Sequence, residues 1–310
     1  MMGAWRDLAD RGRLHTHVPL GPLTTYKLGG PARLVVEAED QIDLESVAAG
    51  LEETPLPVLV LGRGSNVLIS DRGFDGVVVR LGSGFSWVHW RAGAVSAGGA
   101  TPLPQVARSA ARAGQGGLEF YVGIPGSIGG AIRMNAGCHG SETGEVLTKS
   151  EVFDLRNGTT TARSPGELDL SYRHSNLDDL EIVVAATFRT RPVERDVAEA
   201  TMRSVSKWRK DNQPGGTLNA GSVFKNPPGD AAGRIIDALG LKGFAIGRVA
   251  ISARHANFIV ADQGATADEV HDLVLAVRDI VAERAGIRLV PEIRFVGEFG
   301  DEPGTDGAIK

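Results

Sequence analysis

Residues 117–140, GLEFYVGIPGSIGGAIRMNAGCHG, hold seven glycines in twenty-four positions, and neither a helical period nor strand alternation runs through them. Glycine gives up more conformational freedom on folding than any other residue, so a cluster this dense needs a physical reason. Either the backbone turns tightly several times, or it lies against something bulky such as a cofactor. A second cluster, Leu61-Gly62-Arg63-Gly64-Ser65-Asn66, poses the same choice. A dinucleotide site of the Rossmann kind needs a strand, G-x-G-x-x-G, and then a helix whose N-terminus meets the pyrophosphate. Here the G-x-G-S-N run leads into an apolar, β-like segment at 67–70. Backbone N–H groups of a glycine-permitted turn are therefore the expected anion binders, not a helix dipole.

The bulk numbers narrow the class. A chain of 310 residues with 42% hydrophobic and 23% charged residues is expected to be a soluble globular protein of two or three domains. A net charge of -5 argues against a general nucleic-acid binder. The single cysteine, Cys138, excludes an intramolecular disulfide framework and a thiolate zinc site, so no metal is expected. It fits a reducing cytoplasm. The N-terminal MMGAWRDLADRGRLHTH has no apolar core and reads as no signal peptide, and no apolar run approaches membrane-spanning length. Expected partners are therefore small molecules, with no membrane and no nucleic acid; the oligomeric state is left open.

Taken in order, residues 1–20 read as an irregular lead-in. Residues 33–38 form a strand, and Asp40 caps a short helix with Ile42, Leu44, Val47, Ala48 and Leu51 on its apolar side. Strands follow at 58–61, 67–70 and 76–80, with a pair of short strands across 88–98. Residues 103–113 form a helix stopped by Gly114. Asn157-Gly158 is a hairpin turn between strands at 149–155 and 159–162, and 182–190 is a further strand. Strands with so few helices between them indicate α+β rather than a βαβ series. Near Pro192 the composition changes. Residues 194–210 read as a helix with Val197, Ala200, Thr201, Val205 and Trp208 at helical spacing. A polar loop at 211–220, a short helix at 231–239 and a strand at 257–261 follow. Thr266-Ala267-Asp268-Glu269 is a capping box opening a helix that stops at Gly286. Residues 287–296 read as the last strand, with Glu292 and Arg294 on one face. The expected domains are a lead-in at 1–23, a glycine-lined domain at 24–192 in two parts (24–82 and 83–192), an α+β domain at 193–299, and a disordered tail at 300–310.

LGRGSNVLISDRGFDGVVV, GLEFYVGIPGSIGGAIRMNAG, SYRHS, NAGSVFKNP, HANFIV and PEIRF, in this order, resemble the UDP-N-acetylenolpyruvoylglucosamine reductases, flavoenzymes of peptidoglycan precursor synthesis. Any one motif is weak alone; their joint order is specific and spans nearly the whole chain. The resemblance implies an FAD-binding domain of the vanillyl-alcohol-oxidase-like (PCMH) type made of two α+β subdomains, followed by a C-terminal α+β substrate-binding domain. It implies non-covalent FAD, NADPH as reductant, and reduction of the enolpyruvyl ether of UDP-N-acetylglucosamine to UDP-N-acetylmuramate.

That chemistry has requirements. Hydride from flavin N5 adds to the vinyl carbon and leaves an enediolate-like intermediate beside the carboxylate, which needs a cation, a second polar group and a positioned acid. By resemblance, Ser222 is the general acid, Arg173 meets the substrate carboxylate, and Glu292 is the third catalytic residue, expected to hydrogen-bond the enediolate with a raised pKa. In isolation each has a plainer reading: a serine bonding to its own backbone, a surface arginine, a glutamate in an ion pair. For the flavin, the resemblance assigns Gly62, Arg63, Gly64, Ser65 and Asn66 to the pyrophosphate. It adds Pro125, Gly126, Ser127, Gly129 and Gly130 from the opposite side, then Asn135, Ala136 and Gly137, with Tyr26 as a cover. Lys225 and Asn226 match positions that hold the nucleotide diphosphate-sugar, and Arg209, Lys210, His255 and Asn257 are further candidates.

Two departures stand out. No tyrosine lies between Arg173 and Ser222, so the chain resembles the shorter subclass without a tyrosine-bearing lid, and Asn219 stands where a serine is more often expected. Two alternatives remain. An oxidase on the same flavin fold would share the glycine clusters and often attaches its flavin through a residue such as Cys138 or His139. A non-catalytic nucleotide-sugar binder would take up no flavin.

Overall fold

The computed structural model describes residues 3–91 and 93–300. They form two compact units. The first contains the described residues up to His17, Arg33–Gly64 and Gly76–Asn212. The second contains Val18–Ala32, Ser65–Asp75 and the described residues from Gln213 onward.

Two sheets build the first unit. One has four strands in the order Leu14–Pro19, Pro31–Ala38, Phe74–Leu81, Val58–Val60, the last two parallel. The other has five, Thr159–Arg163, Leu147–Asp154, Glu181–Arg189, Ala94–Gly98 and Val88–Arg91, antiparallel throughout. The Glu181–Arg189 strand is apolar along nearly its whole length because both of its faces are covered. Ile182 and Val184 enter a core shared with Leu34, Val36, Leu44, Val47 and Val77. Val183, Ala186 and Phe188 enter a second core beneath the Leu103–Arg112 helix. The hairpin falls at Asn157-Gly158, with Asp154 paired to Thr159 and Gly158 at φ 66°.

The second unit is smaller. It holds a three-stranded antiparallel sheet (Ala245–Ile246, Val249–Ile251, Ile259–Ala261), a parallel pair (Val67–Ile69 with Arg294–Val296), and the helices Ala232–Ala238 and Ala267–Ala285. The long helix starts and stops where its sequence says. Thr266 Oγ1 accepts from the Glu269 N–H, the Glu269 carboxylate accepts from the Thr266 N–H, and Gly286 takes the left-handed conformation at φ 68°. Val270, Val274, Val277 and Val281 then fall on one buried stripe. The architecture is α+β, and a strand, Val67–Ile69, follows the Gly62–Asn66 loop.

Several sequence expectations need correction. The lead-in is ordered: Ala4–Asp10 is a helix burying Trp5 and Leu8, and Leu14–Pro19 is a strand. Seven residues are too few for a helical period to show in the sequence. The helix Arg195–Asn212 buries Ala198, Met202 and Val205, whereas Val197 and Trp208 are exposed, so the apolar stripe lies one position away from the expected one. Only Arg294–Val296 of the expected 287–296 strand is a strand. The glycine-rich stretch contains a short helix, Ile128–Arg133, and a 3-10 turn, Glu119–Gly123. The compact units place Arg195–Asn212 with the first unit, whereas the sequence boundary was set at 192. The expectation for the tail falls on 301–310, outside the described residues. Among the described residues no helix is long and apolar enough to cross a membrane, and no group of His, Cys, Asp and Glu could hold a metal ion.

Removing the Thr266 cap by Thr266→Ala leaves the Glu269 N–H without its side-chain acceptor. It should destabilise the second unit by about 1 kcal/mol, read as a lowered urea midpoint with an unchanged slope.

Candidate active site

In the first unit a cleft opens between Leu61-Gly62-Arg63 on one wall and Gly99, Ser127, Gly129 and Gly130 on the other, with Arg80 and Arg133 at its side. The glycines are there for close approach. A Cβ at Gly62 would lie 2.7 Å from Ser127 Oγ, and one at Gly99 would collide with the Val183 carbonyl oxygen. The donors are unevenly committed. Ile128 and Gly129 already give their N–H groups to the carbonyls of Thr101 (3.0 Å) and Gly99 (2.9 Å). Gly129 therefore has no N–H to offer an anion, contrary to expectation. Among the described residues the Gly130 N–H has no partner, and the Arg63 guanidinium has neither hydrogen bond nor ion pair. Arg80 pairs with Glu37 through one terminal nitrogen at 2.6 Å, while its buried Nε is unsatisfied. A buried orphan donor is costly unless something accepts from it. These groups fit a diphosphate.

Next to this wall, Asn135 is fully buried at φ 39°. Its Nδ2 donates to the Ser171 carbonyl at 2.9 Å and its Oδ1 accepts from the Gly144 N–H at 2.8 Å. Ser171 and His174 exchange backbone hydrogen bonds, leaving Tyr172 and Arg173 at the corner of a tight turn. Arg173 sits at φ 53°, a conformation that costs a non-glycine residue roughly 1 kcal/mol or more, so the surrounding bonds must hold it. One of its guanidinium nitrogens donates to the Gly137 carbonyl at 3.1 Å, and its charge lies 5.0 Å from the Tyr172 ring centroid. Arg173 and Arg209 both act on Cys138. Burial pushes this thiol up to about 11, and the two guanidinium charges pull the other way. The Cys138 thiol donates to the Phe120 carbonyl at 3.1 Å. Burial also lowers the pKa of Arg209 itself, which packs beside Gly123.

In the second unit the segment Ser222–Lys225 runs antiparallel to 290–292. The Glu292 N–H donates to the Val223 carbonyl at 2.7 Å and the Lys225 N–H to the Val290 carbonyl at 2.8 Å, around a bridge between Phe224 and Pro291. This brings Ser222 and Glu292 together from positions 70 residues apart. The Ser222 hydroxyl is half-buried and has no hydrogen-bond partner among the described residues. The loop before it turns on Asn219, whose Oδ1 accepts from the Gly221 N–H at 3.0 Å with Gly221 at φ 77°. An asparagine here makes the self-contained turn that a shorter serine makes less well.

Comparison with known proteins gives two family-model matches, an FAD binding domain over residues 32–162 and the UDP-N-acetylenolpyruvoylglucosamine reductase C-terminal domain over 213–296. A reductase of that name from Methylorubrum populi is 42% identical over 293 residues, 94% of each chain. Another, from Acidiphilium cryptum, is 41% identical over 96% of each. The crystal structure of the Thermus caldophilus reductase superposes with a TM-score of 0.80 at 35% identity, covering 92% of this chain and 99% of that one. The chain belongs to the UDP-N-acetylenolpyruvoylglucosamine reductase family.

As a reductase of this family it carries its expected site residues in unequal states of readiness. Tyr26 is fully buried in the core of the second unit, its hydroxyl donating to the Ile259 carbonyl at 3.1 Å, so it has no surface to spread over a flavin. Asn66 turns its side chain to protein rather than to an anion: Nδ2 donates to the Glu292 carbonyl at 3.0 Å, and its own carbonyl accepts from the Arg294 N–H at 3.0 Å. Asn226 Oδ1 accepts from the Ala232 N–H at the start of a helix. The His255 ring packs edge-on to Phe258, with Nδ1 accepting from the Asn257 N–H at 3.2 Å. Burial, then the nearby Lys242 charge, lowers the His255 pKa, so the ring is neutral at pH 7. Arg80 and Arg133 were missed. An arginine ending an apolar strand, as in GVVVR, was the available signal for Arg80.

The raised Cys138 pKa has a measurable consequence. Only the thiolate is alkylated, so the iodoacetamide rate should climb about tenfold per pH unit from pH 8 to pH 10. Intact mass reads it directly, because Cys138 is the chain's one cysteine. A rate already level by pH 9 contradicts the assignment.

Proposed function

We propose that the chain reduces the enolpyruvyl ether of UDP-N-acetylglucosamine-enolpyruvate to UDP-N-acetylmuramate with NADPH, as an FAD-dependent oxidoreductase of peptidoglycan precursor synthesis. The observation that supports this reading is the Phe224–Pro291 bridge, which joins the backbone segments that carry Ser222 and Glu292, in a chain with this family membership. FAD, when bound, supplies the hydride from N5. Gly62, Arg63, Gly130, Arg80 and Ser127 are the residues offered for its diphosphate.

The remaining work falls to side chains. Once the vinyl carbon has received hydride, its neighbour is a strong carbon base, so even a serine hydroxyl can protonate it downhill. Ser222 is proposed as that donor, and the lack of a hydrogen-bond partner for its hydroxyl among the described residues supports the role. Arg173 is proposed for the substrate carboxylate, where a permanent, planar cation stabilises the developing charge. Glu292 is proposed as the group that hydrogen-bonds the enediolate, and Lys225 and Asn226 as ligands of the nucleotide sugar. The reading carries with it a cytoplasmic location and small-molecule partners.

Anaerobic NADPH should bleach the yellow protein, and the enolpyruvyl nucleotide sugar should restore the colour. In Ser222→Ala, bleaching should stay within about twofold, while recovery slows by roughly 10²- to 10⁴-fold, the usual weight of a positioned acid. Stopped-flow absorbance near 450 nm separates the two halves. Wild-type bleaching with no recovery would rule out this substrate.

A further inference from the structure

We propose that Asn257 is the positioning residue for the Ser222 hydroxyl, acting through the backbone of the two residues that follow it; this rests on the role of Ser222 above. Asn257 is buried, at 4% exposure. Its Oδ1 accepts from the Phe224 N–H at 2.9 Å, and its Nδ2 donates to the Phe224 carbonyl at 2.8 Å. Its own carbonyl accepts from the Val223 N–H at 2.9 Å. A carboxamide carries the same donor and acceptor as a peptide unit, so one side chain supplies what a neighbouring strand would have supplied. The opposite edge of the segment is taken by the Glu292 and Lys225 bonds.

Every backbone polar group from the Val223 N–H to the Lys225 N–H is thereby committed. The chain direction leaving Ser222 is fixed on both sides, and its hydroxyl is the group left over. Asn257 is itself held by the Nδ1 of His255, which accepts from the Asn257 N–H. That bond needs an unprotonated Nδ1, and the half-buried His255, whose pKa burial lowers, favours that form. The line of control runs from His255 to Asn257, to Phe224, to Ser222. Both polar atoms of the Asn257 side chain are spent on Phe224, which makes it a positioning residue and not a ligand in this proposal.

The test is Asn257→Asp in the FAD-loaded protein. It keeps an acceptor for the Phe224 N–H but leaves the Phe224 carbonyl without its donor. Flavin recovery by the nucleotide sugar should slow about 10- to 100-fold, the cost of displacing a reacting group by around an ångström. Bleaching by NADPH should change less than twofold. In a Ser222→Ala background the same substitution should add less than twofold, because the group it positions is gone. Asn257→Ala, which removes both bonds, should behave as the Asp variant or worse, with the same non-additivity.

Equal slowing of both halves, full additivity with Ser222→Ala, or loss of fold and FAD in both Asn257 variants would each overturn the proposal. Failure of wild-type recovery would instead remove the function reading, and this inference with it.

Discussion

One hydrogen bond, from the Glu292 N–H to the Val223 carbonyl at 2.7 Å, holds together the Ser222 and Glu292 segments of the second unit. Its partners come from segments with little regular structure of their own. The strand after Glu292 is only Arg294–Val296, and the Ser222 segment belongs to no strand. A single backbone bond adds about 1 kcal/mol net, too little to order two loops. What makes it sufficient is the cost of the alternative: a buried N–H or carbonyl left unmade costs 1–3 kcal/mol. Side chains supply the missing ladder. Asn257 closes one edge, and Asn66 closes the other by donating to the Glu292 carbonyl. Phe224, Val223 and Ile293 then seal the bridge into the core.

Asn66 changes what the glycine loop is for. The loop supplies Gly62 and Arg63 to the cleft of the first unit, and three residues later its asparagine is spent on the Glu292 segment. Asparagine recurs in this use throughout the chain. Asn135 pins the Arg173 turn, Asn219 makes the turn before Ser222, and Asn157 accepts from Thr159 in the hairpin. Each holds an irregular backbone that glycine would leave loose. Positive φ at Asn135 and Arg173 is therefore tolerated because neighbouring bonds over-determine those conformations.

Much of this was legible in the sequence, for local reasons. Asp40, the Thr266 box and Gly286 mark helix ends by chemistry contained in four residues. Asn157-Gly158 marks its hairpin the same way. The apolar run after Asn66 marks a strand rather than a helix in the same local way, and Val67–Ile69 is one. What failed depended on partners far away. Trp5 and Leu8 could not be assigned to a core before the helix Gln41–Glu53 that packs against theirs was known, and the stripe on 195–212 was misjudged because Met202, not Trp208, meets apolar neighbours. Site residues divided similarly. The motifs bring Ser222 and Glu292 forward as candidates, but motif membership does not tell a ligand from a brace. Asn66 and Asn135 lie inside the motifs and spend polar atoms on the protein, as Tyr26 does outside them.

The missing tyrosine between Arg173 and Ser222 also has a structural sense. A lid needs an insertion, and most of that interval is committed. The Glu181–Arg189 strand is buried on both faces, and Arg191–Pro192 pairs with Gln115–Gly116. The helix Arg195–Asn212 then carries the chain onward with Ala198, Met202 and Val205 inward. Besides the turn at 174–180, the longest run without helix or strand is Gln213 to Ser222, and it is fastened. The Gln213 carbonyl accepts from Arg254 at 3.4 Å, Leu218 bridges to Ala261, and Asn219 closes on Gly221. A ring long enough to sweep across a bound nucleotide sugar has no stretch of chain to stand on. The braced Ser222 segment and the strained Arg173 turn are instead short, pre-set groups, which would spare a ligand the cost of ordering them.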